Sequence, residues 1–254
     1  MSLSSLIGIE FAKVRRSKIV PLIFIAPILV VISGVASLGR YLTPEYTNAW
    51  SAMFVQSALV YAYYLLPLSM IVACVMVAGR ETSHNGILKM LALPVSRHKL
   101  SLAKFLVVVF FLLMEVAVFF AVFVLAGLAV TQATGVRETL PVAYLLKSCA
   151  GLFLTMLPSV AAMWAITVAF EKPLPTIGLN LLLVIPAVLV ANTPIWIAYP
   201  YCYSGYLVSC SLHDFTVSAT STSFQPFPFV LCAALLLAAF LSLSVFRFGE
   251  KETR

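Results

Sequence analysis

Six apolar runs, at about residues 19–38, 53–78, 105–130, 143–169, 175–198 and 227–246, constrain this chain more than any other feature. Each is close to the roughly 20 residues a helix needs to cross a hydrocarbon core about 30 Å thick. Lipid offers no water to satisfy backbone N–H and C=O groups, so open strands are excluded and each run is expected as a helix. The rest of the sequence is too sparse in charge to solvate such runs as a soluble domain: 62% of the 254 residues are hydrophobic and 10% are charged. The expected fold class is an all-α membrane protein with six transmembrane helices, occupying residues 19–248. No small-residue cleavage site follows the first run, so it is expected to remain as a span. Only Glu171-Lys172-Pro173 separates the fourth run from the fifth, which implies a tight helical hairpin.

The formal net charge of +7 would suggest nucleic acid or acidic lipid in a soluble protein. Here its distribution matters more, and no nucleic-acid partner is expected. One side of the membrane collects Lys13, Arg15, Arg16 and Lys18, then Arg80, Lys89, Arg97, Lys99 and Lys104, then Lys172, and finally Arg247, Lys251 and Arg254. The opposite side has Arg40, Arg137 and Lys147. Positively charged loops stay in the cytoplasm, so both termini are expected there, in a multi-pass protein of the cell membrane.

Besides the short turn at Glu171-Lys172-Pro173, the expected cytoplasmic segments are residues 1–18, the loop 79–104 and a tail at 249–254. In the first, Leu3, Leu6, Ile7, Phe11 and Val14 fall on one helical stripe, with Glu10, Lys13 and Arg16 largely opposite. That pattern predicts an amphipathic helix at the membrane surface, either anchoring the chain to lipid or lying beside a cytoplasmic partner. In the loop, Thr82, Ser83 or Asn85 is placed to cap a short helix through Ile87, Leu88, Met90 and Leu91. Pro94 ends it, because a proline disfavours helix in the residue before it. Topology needs only the charges, so the extra capped apolar helix argues for docking.

Nothing in the chain points to catalysis. It has no G-x-x-x-x-G-K-[ST] to cradle ATP phosphates, no H-E-x-x-H, no nucleophile elbow and no thiol pair spaced for metal. His84, His98 and His213 show no ligand spacing. No enzyme, resident cofactor or metal is therefore expected.

Within the loop, Glu81, Asn85-Gly86, Leu88-Lys89, Leu91, Leu93-Pro94, Ser96-Arg97, Lys99 and Ala103-Lys104 resemble the ABC-2 type permeases. The likeness is to the short subunits of lantibiotic-immunity and bacitracin-type peptide exporters. Glu10, Lys13, Arg15-Arg16 and Lys18 resemble the first cytoplasmic helix of that superfamily. The resemblance implies a half-transporter: two membrane subunits, identical or different, with a separate dimer of cytoplasmic ABC ATPases that binds the ATP and Mg. It also implies that the helix near 82–93 is a coupling helix seated in a groove of the ATPase. Ile87, Leu88 and Leu91 would bury there, with Glu81, Lys89 and Arg97 fixing register by charge and Pro94 closing the helix. The implied cargo is an antimicrobial peptide or related lipophilic compound. A drug, lipid or glycan, or energy for an envelope process, is the alternative. A stand-alone channel or secondary transporter is disfavoured by the scarcity of intramembrane charge. An intramembrane protease is disfavoured because no acid/His constellation falls within the spans.

Glu115 lies eleven residues past Lys104, about 16 Å into the bilayer at 1.5 Å per residue. A carboxyl at that depth either lines a translocation path or subunit interface, or is protonated or hydrogen-bonded to a neighbouring helix. Gln56 and Asn180 are expected in interhelical hydrogen bonds. Pro67, Pro158 and Pro186 are expected to kink spans two, four and five. The segment 199–226 is expected as an extracellular loop whose tyrosines form an interfacial belt. Cys202 and Cys210 within it are expected to form a disulfide on the oxidising face.

Overall fold

The computed structural model describes residues 3–15, 19–43, 48–79, 96–134, 138–170, 172–212 and 226–250, and among them every regular element is helical. Among the described residues, five helical stretches are long and apolar enough to cross a membrane: Ala49–Ala78, Arg97–Ala133, Val142–Ala169, Pro173–Val190 and Pro226–Phe248. The first expected span folds as a helix over Ile19–Ala36, with a shorter apolar portion at Phe24–Ala36.

In chain order the helices are α1 (Leu3–Arg15), α2 (Ile19–Ala36), α3 (Ala49–Val60), α4 (Leu66–Ala78), α5 (Arg97–Thr134), α6 (Val142–Ala169), α7 (Pro173–Val184), α8 (Ala187–Val190), α9 (Tyr203–Cys210) and α10 (Pro226–Glu250). Helix α6 is the centre of the bundle. Its Leu145, Leu152, Met156, Val160, Met163 and Trp164 are buried, and α4, α5, α9 and α10 pack around it. Helix α2 packs against α3 and α5, and α1 lies along α5. A Cβ at Gly34 of α2 would fall 2.4 Å from the Ser57 Oγ of α3. Small residues let the two backbones approach that closely, the usual device where lipid supplies no hydrophobic drive between helices.

The second span is one stack of α3, a π turn at Tyr61–Leu65 and α4. Pro67 lacks an N–H and its ring crowds the carbonyl of Tyr63, so a widened turn just before it absorbs the misfit. At the N-terminal end of this stack, Asn48 Oδ1 accepts from the Ser51 N–H at 2.9 Å, and Glu138 Oε2 accepts from the Ala49 N–H at 2.6 Å. An N-cap and a carboxylate together satisfy the free donors that start this span.

Thr176 closes the hairpin between α6 and α7, since its hydroxyl donates to the carbonyls of Phe170 and Lys172 at 3.1 Å each. Pro186 separates α7 from α8, while Pro158 sits within the unbroken α6. After α8 the chain turns back into the bundle through 3-10 turns at Pro194–Ala198 and Pro200–Cys202, then rises again as α9. Residues 199–212, expected as part of an outer loop, therefore belong to a re-entrant hairpin; 213–225 lie outside the described residues. Tyr201, Cys202, Tyr203, Ser204 and Gly205 are buried against α6, α3 and the π turn.

Its depth follows from partners on the spans. Ser159 Oγ donates to the Pro200 carbonyl at 2.6 Å, ten residues short of the C-terminal end of α6 at Ala169, or about 15 Å from it at 1.5 Å per residue. A backbone at that depth survives only where protein covers it and supplies hydrogen-bond partners. Side chains do so here: the Tyr199 hydroxyl donates to the Leu183 carbonyl, and the Tyr203 hydroxyl to that of Ile197. The tyrosines expected as an interfacial belt instead hold an irregular segment inside the bundle.

Candidate functional site

Two of the polar clusters among the described residues involve charged side chains of α5, one near its start and one in the interior. Six of the expected coupling residues, Glu81, Ile87, Leu88, Lys89, Leu91 and Pro94, fall in 80–95 and lie outside the described residues. The seventh, Arg97, opens α5. This helix runs 38 residues without interruption, about 57 Å at 1.5 Å per residue, well beyond a bilayer core. Residues 97–104, expected within the cytoplasmic loop 79–104, are thus the first two turns of α5 itself.

Lys104 is buried at 1% exposure, and its Nζ lies 3.3 Å from Oε2 of Glu10, also 1% exposed. Lys13 Nζ lies 2.5 Å from the other oxygen, Oε1, while remaining 38% exposed. Glu10 was expected on the polar outer face of α1; the structure turns it inward. Leu6, Glu10 and Val14 recur every fourth residue and are all buried, so the stripe facing α5 carries the carboxylate at its middle. Phe11 extends the same contact, edge-on to Phe110 at 4.7 Å between ring centres and tilted to Phe111 at 5.9 Å. The lysine explains the inversion, because an ammonium taken out of water needs an anion at hydrogen-bonding distance. Nearby, His98 Nδ1 lies 3.1 Å from the Val245 carbonyl of α10, and its ring meets Phe246.

In the interior, Glu115 of α5 is 2% exposed. The Tyr61 hydroxyl donates to its Oε1 at 3.3 Å, and Ser69 of α4 hydrogen-bonds to the same carboxyl. The Tyr61 ring stacks on Phe119, one turn further along α5, with 4.6 Å between centres. The π turn that begins at Tyr61 and the α4 helix that carries Ser69 thus supply partners to one carboxyl from two elements. Glu115 faces the inside of its own subunit.

Asn180 behaves as expected of an interhelical polar residue: fully buried, its Nδ2 donates to the Thr176 carbonyl at 2.9 Å and its Oδ1 accepts from the Tyr201 hydroxyl at 3.2 Å. Gln56 does not. It is exposed on the outer face of the second span, in line with Val60, Tyr64 and Leu68. The expected Cys202–Cys210 disulfide is also absent: the two side chains are not bonded to each other, and both are buried. Cys202 precedes α9 and Cys210 ends it, so the helix holds them about 12 Å apart at 1.5 Å per residue. A disulfide tolerates a Cα separation of about 7 Å at most. The Cys202 thiol instead donates to the Tyr199 carbonyl at 3.0 Å.

Three residues of these clusters escaped the sequence. Lys104 reads in the sequence as a topology charge and as part of the family likeness, with no partner indicated, and Tyr61 and Ser69 carry no pattern of their own. The four-residue spacing of Leu6, Glu10 and Val14 was the one available signal, pointing to a carboxylate in the middle of a buried stripe. Among the described residues no group of His, Cys, Asp and Glu is placed to hold a metal ion.

No curated protein matches the chain. A family model described as ABC-2 family transporter protein matches residues 6–187, from the first helix through the second span, the basic loop, α5, α6 and α7.

Proposed function

The chain belongs to the ABC-2 family of transporter proteins, the membrane component of an ABC exporter, and we propose that it extrudes an antimicrobial peptide of lantibiotic or bacteriocin type, or a related amphipathic compound, for self-protection. The carrying observation is the family match over 6–187, which takes in the whole basic loop between the second and third spans. The cargo rests on narrower support, the likeness of Glu81, Asn85-Gly86, Leu93-Pro94 and Ser96-Arg97 to the peptide-exporter permeases.

The permease is a transport component, and the family implies an ABC ATPase as its partner. The proposed assembly is a dimer of six-span permeases, identical or different, on a dimer of ATPases that holds the ATP and Mg. Both termini face the cytoplasm, as the distribution of lysine and arginine requires. The coupling helix near 82–93 buries Ile87, Leu88 and Leu91 in the ATPase, while Glu81, Lys89 and Arg97 fix its register. ATPase closure pushes on this helix, and α5, continuous from Arg97 to Thr134, is the rod that carries the push into the bilayer.

Co-purification with the ATPase tests the assembly. Leu88→Asp or Leu91→Asp is expected to abolish it, because a carboxylate buried without a partner is strongly disfavoured. Undiminished co-purification and transport in both variants would refute the docking. Survival of cells with and without the transporter, against a panel of peptide antibiotics, tests the cargo. Indifference to the whole panel would leave a drug, lipid or glycan as the exported class.

A further inference from the structure

We propose that the Glu10–Lys104 ion pair clamps α1 to the rod helix α5, so that the two move as one body and both residues act as positioning residues for coupled transport. The inference rests on the ABC-exporter function proposed above. It goes beyond it by giving α1 a mechanical part and naming the two side chains that confer it.

The pair joins positions 94 residues apart in the chain, with both side chains 1% exposed. A lysine that merely set topology would keep its ammonium in water or snorkel toward lipid phosphates. A carboxylate on a surface anchor would face solvent. Neither does. A hydrophobic pair of similar volume would hold two helices as well as a buried ion pair does, or better. What the ionic pair adds is directionality, because only one rotation and one height of α1 brings Glu10 to Lys104.

A second contact fixes the same geometry. Phe11, one position after Glu10, packs on Phe110 and Phe111, about two turns further along α5 than Lys104. Two attachments at different heights prevent α1 from rolling about the rod or sliding along it. Lys104 also sits seven residues after Arg97, where α5 emerges from the basic loop. Any displacement entering α5 from that loop passes the clamp before it reaches Glu115, eleven residues further on. Helix α1 therefore travels with the stroke and cannot act as a passive float on the membrane.

The test reads helix order and coupling together. Gly8 is exposed on α1, and a Cβ there would meet nothing within 4 Å, so a nitroxide on Gly8→Cys, with half-buried Cys232 replaced by alanine, reports the order of the helix. In the full transporter complex in nanodiscs, Glu10→Gln is expected to loosen the label. It should also lower cargo moved per ATP hydrolysed by about tenfold, a typical size for a lost coupling, while hydrolysis itself stays near native. The charge swap Glu10→Lys with Lys104→Glu, made together with Lys13→Gln so that no like charge faces the new lysine, is expected to restore both readouts. Should the swap fail to fold, the apolar pair Glu10→Leu with Lys104→Met replaces it, and coupling is expected to follow label order there too. Coupling lost while the label stays ordered, or kept while it is mobile, would overturn the proposal. A wild-type chain with the label response intact that binds no ABC ATPase would refute the exporter function and the coupling role, leaving the clamp as a purely structural contact.

Discussion

Gly205→Ala puts the packing of the re-entrant hairpin to a test of sign as well as size. A Cβ at this position would stand 2.2 Å from Cε1 of Tyr63, 2.3 Å from Cζ and 2.4 Å from Cδ1, where ordinary contact starts at 3.4 Å. The ring would have to retreat roughly 1.2 Å, yet Tyr63 is 8% exposed and rooted in the π turn. Overpacking of this kind costs about 1–3 kcal/mol. Working against it, alanine in place of glycine within a helix such as α9 is worth up to about 1 kcal/mol. A loosely held α9 would show that gain alone and melt about 2–4 °C higher in a chain of this size. The packed hairpin predicts a net loss of about 1–2 kcal/mol, and so melting lower by about 2–8 °C. Thermal unfolding of the detergent-purified permease measures the difference, and a midpoint equal to or above that of the wild type would refute the packing. Adding Tyr63→Ala should recover much of the loss, as expected for two residues in direct contact. Tyr63→Phe should not, because the crowded atoms are ring carbons.

Other consequences are open to similar measurements. Glu115→Ala leaves the Tyr61 hydroxyl without its acceptor and should lower stability by about 1–3 kcal/mol, whereas Glu115→Gln retains an acceptor and should cost less; equal melting of the two would refute the hydrogen-bonded role. Tyr201→Phe strands Oδ1 of the fully buried Asn180, with an expected loss in the same range of about 1–3 kcal/mol, read by the same melt. Cys202 and Cys210 are expected as two alkylatable thiols once the purified protein is denatured without reductant; a mass two hydrogen atoms lighter and resistant to alkylation would show the bond that α9 precludes.

The long apolar runs were legible because span length is set by the bilayer and hydropathy is a property of composition. The tight hairpin expected at Glu171-Lys172-Pro173 needed only the brevity of that separator and its proline to be recognised. The re-entrant segment departs from the expected outer loop for an equally physical reason. Tyr199, Tyr201, Tyr203 and Tyr206 suit a membrane interface by composition, and nothing local distinguishes a tyrosine wetting its hydroxyl in water from one donating to a buried carbonyl. The disulfide failed similarly: eight residues permit a bond in a loop and forbid it in a helix, and α9 is a helix because of what it packs against.

Polar residues show the division most sharply. Asn180 was placed correctly because a buried amide has few alternatives to hydrogen bonding. Gln56 was not, since periodicity alone does not say which face of a span meets its neighbours when every face is apolar. Glu10 was assigned outward by the amphipathic pattern, and Lys104, on a helix 94 positions away, reversed it.

By itself, then, the sequence determined that this chain is a helical membrane protein, where most of its spans run and which loop resembles an ATPase dock. Those properties depend on residues adjacent in the chain and on the solvent around them. Tertiary structure alone decided that α1 is held by a buried ion pair, that Tyr61 and Ser69 converge on Glu115, and that an apparent outer loop descends beside α6. Each depends on partners distant in sequence, whose burial and hydrogen bonds exist only once the helices have packed.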